Sequence, residues 1–289
     1  MAFLTVVHLK SKNLRKKGKR LFHSLTILVF TFNSYLSWGQ SLKLIKEIPT
    51  PPIKTVSMDL SGHVYIASEK GDVFKYNSSG EQIIHYSPIK PVEINVLEAW
   101  NPLRVFLFHA DFQEYIFLDR FLTPSPSYTL NTEDSDFVNT ATTSLDNNIW
   151  LIDITSFSLQ KLDIDFNQLL INTPLELVLN PSDYDVNFIR EYQNILFIND
   201  KKTGILIFDN LGNYIKTLKI PGIEYFSFQG NNLYFLHKGN IQLIDIYDPV
   251  LDVKEIALET GTAFKFVLLS KENAFLFTDN KMLIYAISE

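Results

Sequence analysis

The chain has 289 residues, 46% of them hydrophobic and 13% aromatic, enough to fill a sizeable core and too apolar for a disordered chain. Its formal net charge is −6 and it has no cysteine, which excludes disulfides, a zinc–thiolate centre, a thiol nucleophile and a lipidated N-terminal cysteine. The 23 Phe and 13 Tyr are residue types that suit half-buried pleated surfaces.

The first segment in chain order differs from the rest. Leu14-Arg15-Lys16-Lys17-Gly18-Lys19-Arg20 is basic, Leu21 to Leu36 is largely apolar, and Ser37-Trp38-Gly39 ends the run with small residues at alternate positions. This pattern predicts a secretory signal peptide over 1–39, cut after Gly39, and a periplasmic or secreted protein. The apolar run is short for a membrane span and is interrupted by Thr31, Asn33 and Ser34, so no membrane insertion is expected after cleavage. The segment holds seven of the 26 Lys and Arg and none of the 32 Asp and Glu. Residues 40–289 therefore keep 19 basic against 32 acidic side chains, a net charge of −13. Such a chain is a poor partner for nucleic acid or an anionic membrane.

After Gln40 no helix-length period of 3.6 residues stands out; short Val, Ile, Leu, Phe and Tyr runs alternate with Gly, Asn and Asp. Ser41–Ile48 is a first strand with no obvious neighbour. Six strongly apolar strands then recur, with second residues Val64, Val105, Ile149, Ile195, Leu233 and Ala274. Spacings of about 40–45 residues suit a four-stranded propeller blade. Innermost strands are predicted at Lys54–Met58, Ile94–Leu97, Val186–Ile189 and Lys265–Leu268, and outer strands at Gln82–Tyr86, Tyr214–Leu218 and Lys254–Leu258. The last unit lacks an outer strand. Supplying it from Ser41–Ile48 closes the ring and removes a sheet edge. The expected fold is thus all-β, a six-bladed β-propeller in a single domain over 40–289, closed by the N-terminal strand joining the last blade.

Asp59-Leu60-Ser61-Gly62-His63-Val64-Tyr65-Ile66-Ala67, with Gly71-Asp72-Val73-Phe74-Lys75-Tyr76-Asn77-Ser78-Ser79-Gly80, resembles the NHL-type six-bladed propeller repeat, and Phe208-Asp209-Asn210-Leu211-Gly212-Asn213-Tyr214-Ile215 resembles its second half. The stretch Leu97 to Phe108 with Asp111 to Arg120 is similar to a family of secreted propellers of Gram-negative bacteria, relatives of which are associated with the outer-membrane type nine secretion apparatus. That resemblance implies a protein partner in the periplasm or at the outer membrane, and a scaffold role in a secretion complex.

The chemistry-bearing residues are few. His109 and His237 both follow a second strand and are expected on one face of the disc, in a polar ring with Glu69, Asp111, Asp153, Asp200, Lys201, Lys238 and Asp279. Loops joining antiparallel strands are polar for solvation alone, and two histidines without a third ligand do not define a metal site. Asp163-Ile164-Asp165 lacks the donor spacing of a calcium loop. Glu98, Arg190, Glu191 and Lys265 fall on innermost strands and are candidate channel residues. The segment Val105 to Tyr128 is rich in aromatics and ends in Pro124-Ser125-Pro126, a stiff edge that presents Phe112, Tyr115, Arg120 and Phe121. Candidate binding residues are therefore Phe112, Tyr115, Arg120, Phe121, His109, Asp111 and His237, with no catalytic residue, metal or cofactor assigned. Three readings stand: a non-catalytic protein-binding or scaffold propeller, a ligand- or glycan-binding sensor using the polar loop face, and a propeller hydrolase or lyase.

Overall fold

The computed structural model describes residues 41–130, 137–248, 250, 252–258 and 261–288; the predicted signal segment lies outside them. Chain order begins with β1 (Ser41–Pro49). Blade 1 follows as β2 (Ile53–Met58), β3 (Val64–Ser68), β4 (Val73–Tyr76) and β5 (Gln82–Tyr86). Blade 2 is β6 (Val96–Glu98), β7 (Val105–His109), β8 (Glu114–Leu118) and β9 (Tyr128–Thr129). Blade 3 is β10 (Val138–Thr143), β11 (Ile149–Asp153), β12 (Ser158–Asp163) and β13 (Gln168–Pro174). Blade 4 is β14 (Val186–Tyr192), β15 (Ile195–Asp200), β16 (Gly204–Asp209) and β17 (Tyr214–Leu218). Blade 5 is β18 (Phe226–Gln229), β19 (Asn232–His237), β20 (Asn240–Asp245) and β21 (Val253–Ile256), and blade 6 opens with β22 (Phe266–Leu269), β23 (Asn273–Phe277) and β24 (Lys281–Ser288).

Each blade is a four-stranded antiparallel sheet, and β1 supplies the fourth strand of blade 6 by pairing with β24 from Ser41↔Ser288 to Pro49↔Lys281. The protein is a six-bladed β-propeller closed by its N-terminal strand. Closure is continuous apart from a bulge at Ile45 between Leu44 and Lys46.

The second strands are buried along their whole length in blades 1, 2 and 3 because both faces pack against neighbouring blades. Residues of β7 therefore divide between two cores: Phe106 and Phe108 face blade 3 with Ala141, Ile149 and Leu151, while Val105 and Leu107 face blade 1 with Tyr65 and Ala67. Each fully buried Leu, Ile or Phe stabilises the fold by about 1.5–3 kcal/mol relative to exposure. The aromatic run of blade 2 is mostly this interior. Two prolines keep its outer strand down to Tyr128–Thr129, with one isolated bridge from Leu118 to Pro124.

Turn chemistry fixes the ends of the strands. Asp59, Asn77, Asp119 and Asp209 each accept, on Oδ1, the backbone N–H groups two and four residues ahead. The fourth position of each turn takes a left-handed backbone, which glycine adopts without strain: Gly62 at φ 82°, Gly80 at φ 73° and Gly212 at φ 80°. In the blade 2 copy Leu122 fills that position at φ 57°, and its side chain is buried with the blade 1–blade 2 core.

Candidate functional site

Antiparallel pairing gives the disc two faces. Turns joining first to second and third to fourth strands lie on one, here the turn face. Turns joining second to third strands, and the crossovers between blades, lie on the other, the funnel face.

At the funnel face the central channel opens into a cavity of ≈ 740 Å³. Its wall takes residues from all six blades, because every innermost strand starts here. A register break at the first turn of these strands turns one extra residue inward: Lys54 in β2, Asn139 in β10 and Asn187 in β14 are the residues skipped by the pairing. Asn95 and Lys265 hold the corresponding place ahead of β6 and β22. The asparagines stitch blades together. Asn139 Nδ2 donates to Val186 O at 2.6 Å and Asn187 Nδ2 to Glu224 O at 2.7 Å. Tyr225 reaches across the channel from the crossover into blade 5, donating its hydroxyl to Val56 O of blade 1 at 3.1 Å. Burial raises its pKa, with Arg190 opposing.

Below the funnel the two channel carboxylates serve as clasps on blade 3. Glu98 accepts from Thr142 Oγ1 at 2.7 Å, Thr143 Oγ1 at 2.8 Å and Thr143 N at 3.2 Å. Glu191, from the opposite side, accepts from Ser144 Oγ and Trp150 Nε1, both at 2.6 Å, and from Leu145 N at 3.1 Å. Of the predicted channel residues, Lys265 thus stands at the mouth, Arg190 in the channel, and the two glutamates are structural.

The seven predicted binding residues do not form one site. Asp111 and Phe112 are exposed on the funnel face; Arg120 and Phe121 are exposed on the turn face. Tyr115 is a core residue, since its place on β8 sends the ring inward to stack on Tyr128 at 5.2 Å, and burial pushes its hydroxyl up to about 12. His109 is also buried, with Nδ1 2.8 Å from Glu93 O. His237 shares its face, as expected, but blades 2 and 5 are opposite each other in the ring. Within the predicted polar ring, Asp153 and Asp200 are fully buried and cap their own turns, Asp153 from Thr155 N and Ser156 N and Asp200 from Thr203 N. Among the described residues no group of three or more His, Asp or Glu is placed to hold a metal ion.

The turn face has a feature that sequence reading missed. Leu60, Leu103, Phe121, Leu145, Phe166, Leu211, Tyr247 and Val250 all lie in its turns, each between 52% and 82% exposed. Five of them occupy the same place, two residues after an Asn or Asp whose Oδ1 accepts their backbone N–H: Leu103 after Asn101, Phe121 after Asp119, Leu211 after Asp209, Tyr247 after Asp245 and Val250 after Asp248. The carboxylate is spent on the backbone, and the apolar side chain is held outward. Arg120 lies over the Phe121 ring at 4.6 Å. The Thr123 backbone N–H, with that of Phe121, holds the Asp119 carboxyl below its usual range against some desolvation. Desolvation pushes Asp209 up, but bonds from Asn213 and Leu211 outweigh it and its pKa falls. The repeated Asp-x-apolar triplets were the available signal.

No protein-family model matches the chain, and no curated protein matches it. Solved structures do. Virginiamycin B lyase from Staphylococcus aureus is similar over 86% of this chain and 100% of its own, with 15% identity and a TM-score of 0.61. The Pan2 WD40 domain of Neurospora crassa covers 87% of this chain and 97% of its own at 8% identity and a TM-score of 0.58. YCF48 bound to D1 peptide covers 86% and 100% at 10% identity and a TM-score of 0.54. At these identities the likeness shows the fold, a β-propeller, and carries no activity with it.

Proposed function

We propose that this protein is a non-catalytic binding propeller that docks a partner protein on its turn face, and that residues 1–39 export it to the periplasm or beyond. The observation that carries the reading is the array of outward apolar side chains in the turns of five of the six blades, five of them, on blades 2, 4 and 5, fixed by an Asn or Asp cap. Exposed apolar groups concentrated on one face mark interaction surfaces, and the aromatic ones are the type favoured as interface anchors. Asp119, Asp146, Asp165 and Asp209 stand among them and repel anionic lipid, so the surface suits a protein with apolar and basic groups. That two of the similar structures are a WD40 domain and a peptide-bound propeller supports a polypeptide partner in general terms. The resemblance of blade 2 to secreted propellers of Gram-negative bacteria supports an outer-membrane secretion complex as the setting. Against a hydrolase or lyase, Glu98 and Glu191 are committed to holding blade 3.

The test is affinity purification from the native envelope with Phe121→Ser and Leu211→Ser variants, and with Phe112→Ser on the opposite face. A stoichiometric partner should be kept by wild type and Phe112→Ser and lost from the turn-face pair. Equal retention by all variants, or no partner at all, refutes the docking face.

A further inference from the structure

The funnel wall is divided by chemistry. On blades 2, 3 and 4 it is amide: Asn95, Asn139 and Asn187, each half-buried, stand where the innermost strands begin. Across the ring, blades 5 and 6 present Leu236, Phe264 and Phe266, also half-buried, so each lends part of its apolar surface to the wall. The Phe266 ring is braced edge-on against Tyr225, with centroids 5.5 Å apart and planes at 87°. An amide arc facing an apolar arc across ≈ 740 Å³ matches the usual build of a small-ligand site, apolar surface with a few placed polar groups.

Hydrogen-bonding capacity is left over on the polar side. Asn187 is committed at both ends, to Glu224 O and to Asn199 Nδ2. Asn139 gives one Nδ2 hydrogen to Val186 O and Asn95 gives one to Glu93 Oε1, so a second N–H remains on each amide. Asn139 Oδ1 and Thr55 Oγ1 reach the surface with no hydrogen-bond partner among the described residues, and both residues line the funnel. Thr55, on blade 1, stands between the two arcs. The unspent groups are thus a mixture of donors and acceptors. Hydroxyl groups match such a mixture, because each one both donates and accepts.

The charges favour a neutral ligand. Lys54 is paired with Glu93, Lys265 with Asp279 and Glu224 with Lys201, so a charged group entering the mouth competes with a partner already in place. Asp185 is the one charged lining residue without an ion pair among the described residues, and it disfavours an acid. A single exposed carboxylate holds a cation only weakly.

We infer that the funnel binds a neutral oligosaccharide, the apolar face of a sugar ring against Phe264 and Phe266 and its hydroxyls on Thr55, Asn95 and Asn139. This site lies on the face opposite the docking surface and stands or falls independently of it.

The test is calorimetric titration of the full chain with chitotriose, cellotriose and maltotriose, and with acetyl-trialanine amide as a neutral peptide. At least one trisaccharide should bind with a Kd of about 1 mM or below, and equally well at low and high salt because no ion pair forms. Thr55→Val keeps the shape of the side chain and removes its hydroxyl, which should weaken that binding about five- to tenfold. Phe266→Leu keeps an apolar wall without the ring and should weaken it severalfold. No trisaccharide binding at millimolar concentration, preference for the peptide, affinity that falls with salt, or unchanged affinity in both variants overturns the inference. The comparison of trisaccharides with peptide uses wild type alone, so it decides the matter even where a variant does not fold.

Discussion

Replacing Glu191 by Ala tests whether the channel carboxylates are structural. The side chain joins blade 4 to blade 3 through Ser144 Oγ, Leu145 N and Trp150 Nε1. Leu145 is exposed, so its N–H recovers a bond from water, and the Ser144 hydroxyl can turn elsewhere. Trp150 is fully buried and cannot. An orphaned buried indole N–H costs about 1–3 kcal/mol. The lost methylenes and the space they leave add about 1–2 kcal/mol. The expected total is about 2–5 kcal/mol, which for a domain of this size lowers Tm by about 4–20 °C. Glu191→Gln keeps the volume and one acceptor oxygen, and should cost about 1–2 kcal/mol. Denaturant unfolding of wild type, both variants, Trp150→Phe and the Glu191→Ala/Trp150→Phe pair measures the coupling directly. An Ala variant within about 1 kcal/mol of wild type would refute the clasp and return Glu191 to the pool of functional acids.

Deleting residues 41–49 should leave β24 with an unpaired, partly apolar edge carrying Leu283 and Tyr285, giving an aggregating protein rescued by the 41–49 peptide in trans; size-exclusion chromatography reads this, and a monodisperse deletion would disprove closure by β1. Gly204→Ala places a Cβ 2.1 Å from Leu218 O and 2.6 Å from Ile220 N at φ 117°, and should cost at least about 3 kcal/mol, whereas Gly222→Ala, with open space at φ 82°, should cost only about 1–2 kcal/mol. Similar midpoints for the two in urea would contradict that account. Alkaline pH should unfold the protein: burial raises the hydroxyls of Tyr225 and Tyr234, and burial with the Asp59 charge raises that of Tyr65, all above the ordinary 10.0. Folded values above unfolded ones mean full stability below about pH 10 and a loss of about 1.4 kcal/mol per pH unit per tyrosine above it. Tyr234→Phe should flatten the slope, and a stability independent of pH between 9 and 12 would rule the effect out. Acid acts through the opposite sign: Asp119 and Asp209 sit below their unfolded values, so their turn caps hold above about pH 4 and fail as pH drops through the folded pKa. Chemical-shift titration of the Phe121 and Leu211 amides checks this.

The blade count was readable because the second strands are buried on both faces and must be almost wholly apolar; Val105-Phe106-Leu107-Phe108 has no other reading at that length. Strands bearing weaker constraints were harder to find. β10 is Val138-Asn139-Thr140-Ala141-Thr142-Thr143, an innermost strand with little hydrophobic signal because its threonines serve Glu98 and the channel. β9 is two residues long just after Pro124 and Pro126, and β13 alternates exposed with half-buried residues as an edge strand does. The closing strand β1 was legible for a different reason: ring closure demanded a partner for β24, and one strand was left over.

The candidate sites were less legible because strand alternation and face assignment depend on register. Counting aromatics gathers Phe112, Tyr115 and Phe121 into one segment, yet β8 buries Tyr115 and its two ends deliver Phe112 and Phe121 to opposite faces. The funnel ring was written in the sequence as Ile94-Asn95, Val138-Asn139 and Val186-Asn187, an apolar residue followed by Asn where three of the six innermost strands begin. A bulge is invisible to a period-two pattern, so nothing in the sequence marked Asn139 and Asn187 as inward-turned residues. Arg190 is the same problem at depth. A charged residue flanked by Ile189 and Glu191 reads as a candidate channel residue, and only the structure places its guanidinium over the Phe188 ring, 3.9 Å from Glu98 Oε2. The two faces therefore differ in chemistry: capped turns hold apolar groups outward on one, and bulges turn polar residues into the funnel on the other.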